Sequence, residues 1–282
     1  MGTAPKVLLL VLLLLMSGGS LPTFAHGADY LLESIRKAGG ATAVLNSAPP
    51  FAFVSLSGKP QGYLIEVTEL ALKGMGVSKL SAVLMPSPAD ITGLQARRFD
   101  LAPGGLLITE ARCRVLSFSA PLSAQQDALY VAPGDPNRLT GYAEFAQRSD
   151  IKLAVITGSA QEAYAVLQGV KSDQLVRVPD IQAGIATVLG RRTNAFAVGQ
   201  FSVPNPQQKG VEMVVDTKSP MSSIGIAFRK EDAEFRDTFN KQLEVLRRSG
   251  VLKELYAEKY GFPNWDTLAT LIKASDVAPS CE

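Results

Sequence analysis

The chain has 282 residues, a formal net charge of +2, 46% hydrophobic residues and 19% charged ones. Its basic pairs, Arg97-Arg98, Arg191-Arg192 and Arg247-Arg248, stand apart rather than in blocks, so no nucleic-acid surface is indicated. The one histidine, His26, leaves no means for Ser-His-Asp or Cys-His catalysis or for a histidine-based metal site, and no cofactor is expected.

Taken in order, Lys6 precedes an apolar run, Val7–Met16, and a small-residue segment ending Thr23-Phe24-Ala25. The run is too short to span a bilayer and has the flanks of a secretory signal, with cleavage expected after Ala25. That predicts an exported, soluble, periplasmic chain of 282 − 25 = 257 residues, enough for two packed lobes. Asp29–Ala38 has helical spacing and stops at Gly39-Gly40. Ala43–Leu45 reads as a strand, and Pro49-Pro50 as a rigid turn that holds Phe51 in place. A small hairpin (53–60) follows, then a helix Leu64–Lys73 ended by Gly74, a strand Lys79–Met85 and a helix Ala89–Arg97.

The stretch Asp100–Leu122, DLAPGGLLITEARCRVLSFSAPL, is the focus of the chain. It predicts a short strand (Leu101–Pro103), a glycine corner (Gly104, Gly105), a Thr109-x-x-Arg112 turn and a second strand (Val115–Phe118). Glycines at a strand end let a ligand approach the backbone, and a planar guanidinium fork suits a carboxylate, so this is half a site for a small anion.

Asp127–Val131 predicts a strand leaving the first lobe. A new series follows: strand Lys152–Ile156, a helix opened by Thr157-Gly158-Ser159, strand Leu175–Val178, a helix capped by Asp180, and strand Ala195–Val198. This alternation indicates α/β lobes with largely parallel sheets. Ile224–Phe228 leads back, and Asp232–Arg248 predicts an amphipathic helix with Phe235, Phe239, Leu243 and Leu246 on one face. Helices Val251–Tyr260 and Trp265–Lys273 and a polar tail complete the chain. The two cysteines, Cys113 and Cys281, favour a disulfide in an oxidising compartment; two unpaired thiols are the alternative.

Two stretches echo one another without gaps, LQARRFDLAPGG (Leu94–Gly105) and VLGRRTNAFAVG (Val188–Gly199). Either two helix–turn–strand units match by chance, or the lobes are structural relatives whose Gly105 and Gly199 sit at strand carboxyl ends, where open α/β sheets bind ligands.

With the Pro-Pro-Phe turn, Gly62 before the first-lobe helix, GLQARRFDLAPGG, Thr109-x-x-Arg112 and Gly225–Phe262 in this order, the chain resembles the periplasmic solute-binding proteins of ABC importers for polar amino acids, family 3. ARC, FSAPL and VPDIQAG are nearest the ectoine/hydroxyectoine-binding branch. The resemblance implies a type II periplasmic-binding fold, two α/β lobes joined by hinge strands near Ser123–Ala128 and Ser222–Gly225. The lobes would be 26–125 with 223–275, and 126–222, with a C-terminal tail from 276. It implies that Arg112 grips a ligand carboxylate, that Gly105 and Leu107 line the cleft and that Phe51 forms an aromatic wall. Ser159, Ala160 and Gln161 would offer helix-start amides to the carboxylate.

Departures narrow the ligand. Where the family places an Asp for the ligand ammonium stands Gly199, and Ser87, Leu107 and Ala48 occupy aromatic and acidic positions of the ectoine cage. The expected function is a non-enzymatic, monomeric receptor that closes on a small carboxylate-bearing solute, an amino acid derivative or ectoine-like compound, and delivers it to an inner-membrane permease. The alternatives are a receptor for an ordinary polar amino acid and an exported dehydratase on the same scaffold, with Glu162 or Asp90 as acid/base.

Overall fold

The computed structural model describes Gly2 and residues 27–86 and 88–281. The expected signal segment (1–25), His26 and Ser87 lie outside the described residues.

Two mixed sheets carry the fold. In the first, Ala41–Leu45 pairs in parallel with Leu80–Leu84 on one side and Ala43 bridges Leu101 in parallel on the other. Ala102 then bridges Ala227 antiparallel, and Ala227–Arg229 pairs antiparallel with Leu116–Phe118. The second sheet runs Leu175–Val178, Leu153–Ile156, Ala195–Gly199, Asp127–Val131, Glu212–Val215, with Asp127–Val131 antiparallel to both its neighbours. Both sheets therefore have one strand order: second, first, third, an antiparallel strand from elsewhere in the chain, then a fourth. The central strands Asp127–Val131 and Ala195–Gly199 are buried throughout, because helices and loops cover both faces of the sheet.

The internal echo is a structural repeat. Arg97 and Arg191 both take left-handed backbone angles, φ 59° and 54°. Asp100 Oδ2 accepts from Thr42 N at 2.7 Å, and Asn194 Oδ1 accepts from Lys152 N at 2.8 Å. In each case the same residue returns its own N–H to the carbonyl of that partner, at 2.8 Å. One side chain thus locks the third strand of each sheet to the first.

Two chain crossings join the lobes, and they pair with one another. Leu122 N donates to Ile224 O at 2.8 Å, and Gln125 and Ser222 exchange backbone bonds of 3.0 and 2.7 Å. Ile224 N donates to Ser123 Oγ at 2.9 Å. After the return, the helix Ala233–Arg248 buries Phe235, Phe239 and Leu243 as its spacing predicts, with both Phe235 and Phe239 edge-on to Phe228.

Several expectations change. The helix expected at Val251–Tyr260 is regular only over Val251–Lys253, and wide π-type turns follow at Glu254–Lys259. Tertiary contacts override local preference there: Tyr256 is buried against Tyr63, Phe262 and Trp265, and its hydroxyl accepts from Ala124 N at 3.3 Å. Expected strand Leu101–Pro103 is bridged only at Leu101 and Ala102, since Pro103 has no N–H to offer. The last helix is Trp265–Thr270, shorter than expected. Glu212–Val215 and a short helix, Ala143–Gln147, were not predicted; the first is a half-buried edge strand without the alternation that marks one. Beyond Thr270 the tail packs down, with Ala274, Ala278 and Cys281 buried beside the first lobe's core, and a disulfide joins Cys113 to Cys281. Among the described residues, no helix is long and apolar enough to cross a membrane.

Candidate functional site

A cavity of about 300 Å³ opens between the lobes. Phe51, Gly105, Leu107 and Arg112 line it from the first lobe, and Ser159, Ala160, Gln161 and Gly199 from the second. The structure therefore brings all eight expected residues to one place.

Arg112 is presented by a one-turn helix, Glu110–Cys113, and the Thr109 hydroxyl caps that turn by accepting from Arg112 N at 3.3 Å. The Thr-x-x-Arg spacing is thus a helix cap that aims the guanidinium. Arg112 Nη1 donates to the Leu107 carbonyl at 2.9 Å, and among the described residues no acidic side chain forms a salt bridge with it. Burial holds its pKa below the usual arginine value, while the Asp90 carboxylate opposes that shift. A half-buried guanidinium with spare donors facing a cavity is suited to a carboxylate. Behind it, Glu110 accepts from Ser280 N at 3.3 and 3.4 Å, so the disulfide-bound tail braces the turn.

Phe51 is held by the turn before it and the helix after it. Tyr63 N donates to Pro50 O at 3.1 Å and Leu64 N to Phe51 O at 2.8 Å, so turn carbonyls cap the helix Tyr63–Gly74. Gly62 makes this possible: it sits at φ 116°, and a Cβ there would lie 2.5 Å from Phe51 O. The ring is only 1% exposed and stacks on Phe262 at 5.0 Å. Phe51 is therefore a core residue that also lines the cavity. It is the only aromatic residue lining the cavity among the described residues.

On the second lobe, the expectation of three helix-start amides is corrected. Ser159 N donates to Ile156 O at 3.0 Å and its hydroxyl accepts from Glu162 N at 3.1 Å, so Ser159 is spent on capping. The N–H groups of Ala160 and Gln161 have no acceptor among the described residues, and they open the helix Ala160–Leu167 toward the cavity, as a bound anion requires. The Gln161 side chain is fixed from behind by a 2.7 Å bond from Nε2 to Asp127 Oδ1, while Tyr142 OH donates to Asp127 Oδ2 at 3.0 Å. Burial raises the Asp127 pKa, and these two donors partly offset it.

Several cavity residues escaped the sequence reading, three of them with acid or amide side chains. Asp180 caps the helix Ile181–Leu189 through Oδ1, which accepts from Ala183 N at 2.8 Å, and it also lines the cavity. The second lobe thus has an acid after all, at a helix start rather than at the strand end occupied by Gly199. Arg112 and Asp180 are the only charged side chains lining the cavity among the described residues. The other two are Asn46 and Gln125, amides without a motif. By contrast, Glu162 accepts from Gly158 N at 2.7 Å and pairs with Arg177 at 2.6 Å, and neither it nor Asp90 lines the cavity. No cluster of three metal-ligating residues occurs among the described residues.

The comparisons with known proteins agree with this geometry. The family model for bacterial extracellular solute-binding proteins, family 3, matches residues 41–262. A probable amino-acid ABC transporter periplasmic-binding protein of Sinorhizobium fredii is 26% identical over 235 residues, 79% of this chain and 78% of the relative. The lysine/arginine/ornithine-binding periplasmic protein of Escherichia coli is 29% identical over 221 residues, 75% of this chain and 83% of the relative. Among solved structures, EhuB in complex with hydroxyectoine superposes with a TM-score of 0.83 at 28% identity, covering 89% of this chain and 98% of EhuB. With two lobes of one strand order, paired crossings and a cleft between them, the chain belongs to the bacterial extracellular solute-binding proteins, family 3.

Proposed function

We propose that this protein is the exported, periplasmic receptor of an ABC importer, and that it captures a small carboxylate-bearing solute by closing its lobes about the hinge. The lobes are 26–125 with 223–275, and 126–222, and the receptor acts as a monomer without a cofactor. The observation that carries this reading is the convergence, across one cleft, of Arg112, which has no salt-bridge partner among the described residues, and the N–H groups of Ala160 and Gln161, which have no acceptor among them. The carboxylate binds between them: the guanidinium grips it from the first lobe, and the helix start completes its coordination from the second. Because the donors lie on different lobes, the ligand stabilises the closed form, which is the form a permease recognises.

The likeness to EhuB supports an ectoine-like solute or another amino acid derivative, and the single aromatic residue lining the cavity among the described residues argues against a full aromatic cage. Asp180 favours a second reading, an ordinary polar amino acid whose ammonium it would face. Acid/base catalysis has no support from Glu162 or Asp90, which stand off the cavity. A thermal-shift screen of ectoines, betaines, amino acids and small carboxylates tests the proposal, followed by small-angle scattering with the best ligand. A raised midpoint and a smaller radius of gyration are expected. Stabilisation only by solutes lacking a carboxylate sinks it.

A further inference from the structure

Gln125 lies in the first crossing and lines the cavity. It is 2% exposed, and its side-chain oxygen, Oε1, is buried with no hydrogen-bond partner among the described residues. A carbonyl shut off from water and left unpaired is uncommon in a folded protein and calls for a donor. Its backbone cannot swing away, because Gln125 N–H and C=O both bond Ser222, and Ser222 Oγ adds a 3.0 Å bond to the same carbonyl. The amide lies across Gly199: a Cβ at that position would fall 2.9 Å from Oε1 and 3.0 Å from Nε2. A side chain at 199 would therefore displace the Gln125 amide from where it lies. A second acceptor has the same character. Asn46 Oδ1, on the first-lobe wall, is also buried and unpaired among the described residues.

We propose that Gln125 is a ligand-binding residue on the hinge, whose Oε1 accepts a hydrogen bond from an N–H of the bound solute. This rests on the receptor reading above and refines it. The ligand is a carboxylate that carries N–H donors whose charge is absent or delocalised, as in a lactam or a cyclic amidine, because the group that meets them is a neutral amide. Fully N-alkylated betaines leave both buried oxygens unpaired and are rejected. A contact on the hinge strand also ties ligand recognition to the segment about which the lobes close.

The test is calorimetric titration with ectoine, pyroglutamate, proline and N,N-dimethylproline. The unmodified protein is expected to bind ectoine or pyroglutamate at least about tenfold more tightly than N,N-dimethylproline, which has no N–H. Gln125→Met keeps the length and removes the acceptor; it should weaken the preferred ligand about tenfold and erase that selectivity. Gln125→Glu, of the same shape, should shift preference toward proline and keeps the test open if the Met variant does not fold. Unchanged affinity and selectivity in folded Gln125 variants, with binding abolished by Arg112→Ala, overturns the role of Gln125 and leaves the receptor reading intact. No binding of any carboxylate by the unmodified protein overturns both.

Discussion

Removing the disulfide tests how the C-terminal tail and the Arg112 turn are related. Cys113 and Cys281 are 168 residues apart in sequence, with Cα atoms 5.1 Å apart. In the chain-entropy model, opening a loop of that length returns about 17 cal/mol/K to the unfolded state, or about 5 kcal/mol at 25 °C. For a chain of this size the unfolding entropy is on the order of 0.5 kcal/mol/K, so the midpoint of the Cys113→Ala/Cys281→Ala variant should fall by about 10 °C. Differential scanning fluorimetry on the double variant, and on the unmodified protein with and without reductant, measures it. Ligand affinity well below the midpoint should change less than about threefold, because the Thr109 cap and the Leu107 carbonyl that hold Arg112 do not involve the tail. A midpoint within 2 °C of the unmodified protein, by both variant and reductant, would refute the entropic argument (about 2 °C being roughly 1 kcal/mol here). A large loss of affinity at low temperature would refute the claim that the turn stands without its brace.

Arg112→Lys should weaken carboxylate binding by about ten- to a hundredfold by titration calorimetry, since a point charge replaces a planar fork; unchanged affinity would sink the clamp. Burial raises the Asp90 pKa despite the opposing pull of Arg112 and the Ile91 N–H. The folded state therefore binds this proton more tightly than the unfolded chain, and the associated stability is present at low pH and lost as pH rises from about 4 through the folded pKa. Asp90→Asn should accordingly gain stability relative to the parent as pH rises toward 7, which thermal unfolding across pH 4–7 reads directly; a constant difference would contradict the sign. Asp180→Asn keeps a cap acceptor and removes the cavity's acid, so it should weaken cationic and zwitterionic ligands several-fold and leave a neutral lactam acid unaffected, by the same titration. Gly199→Ala should weaken ligand binding about tenfold by displacing the Gln125 amide from the ligand, and no change would show that the amide can accept its bond from a shifted position.

The local signals in this sequence were strong because they answer to backbone chemistry. Asp180 before Ile181–Leu189 and Ser159 before Ala160–Leu167 are caps, and each marks its helix start to the residue. The strands Asp127–Val131 and Leu175–Val178 were legible as uninterrupted β-prone runs in their entirety. The repeat could be read because the side chain that locks the third strand, Asp100 or Asn194, must recur wherever that unit recurs. The edge strand Glu212–Val215 carried no such pattern, since neither of its faces is fully buried.

For the site, the sequence showed a Thr109-x-x-Arg112 turn beside glycine-ended strands, and only the resemblance to the family assigned Arg112 to a ligand carboxylate. Tertiary structure decided the rest. Whether Ser159 offers an N–H to the cavity depends on where Ile156 places its carbonyl, and Phe51 faces inward because Phe262, 211 positions later in the chain, stacks on it. Asp180 looks the same in sequence whether its helix starts at a cleft or at the surface. Gln125 is the clearest case. Nothing nearby in the chain marks it, and its proposed role arises only where the hinge strand passes Gly199, leaving one buried carbonyl without a partner among the described residues. Residue type sets what a group can bind, but burial beside distant segments sets whether it must.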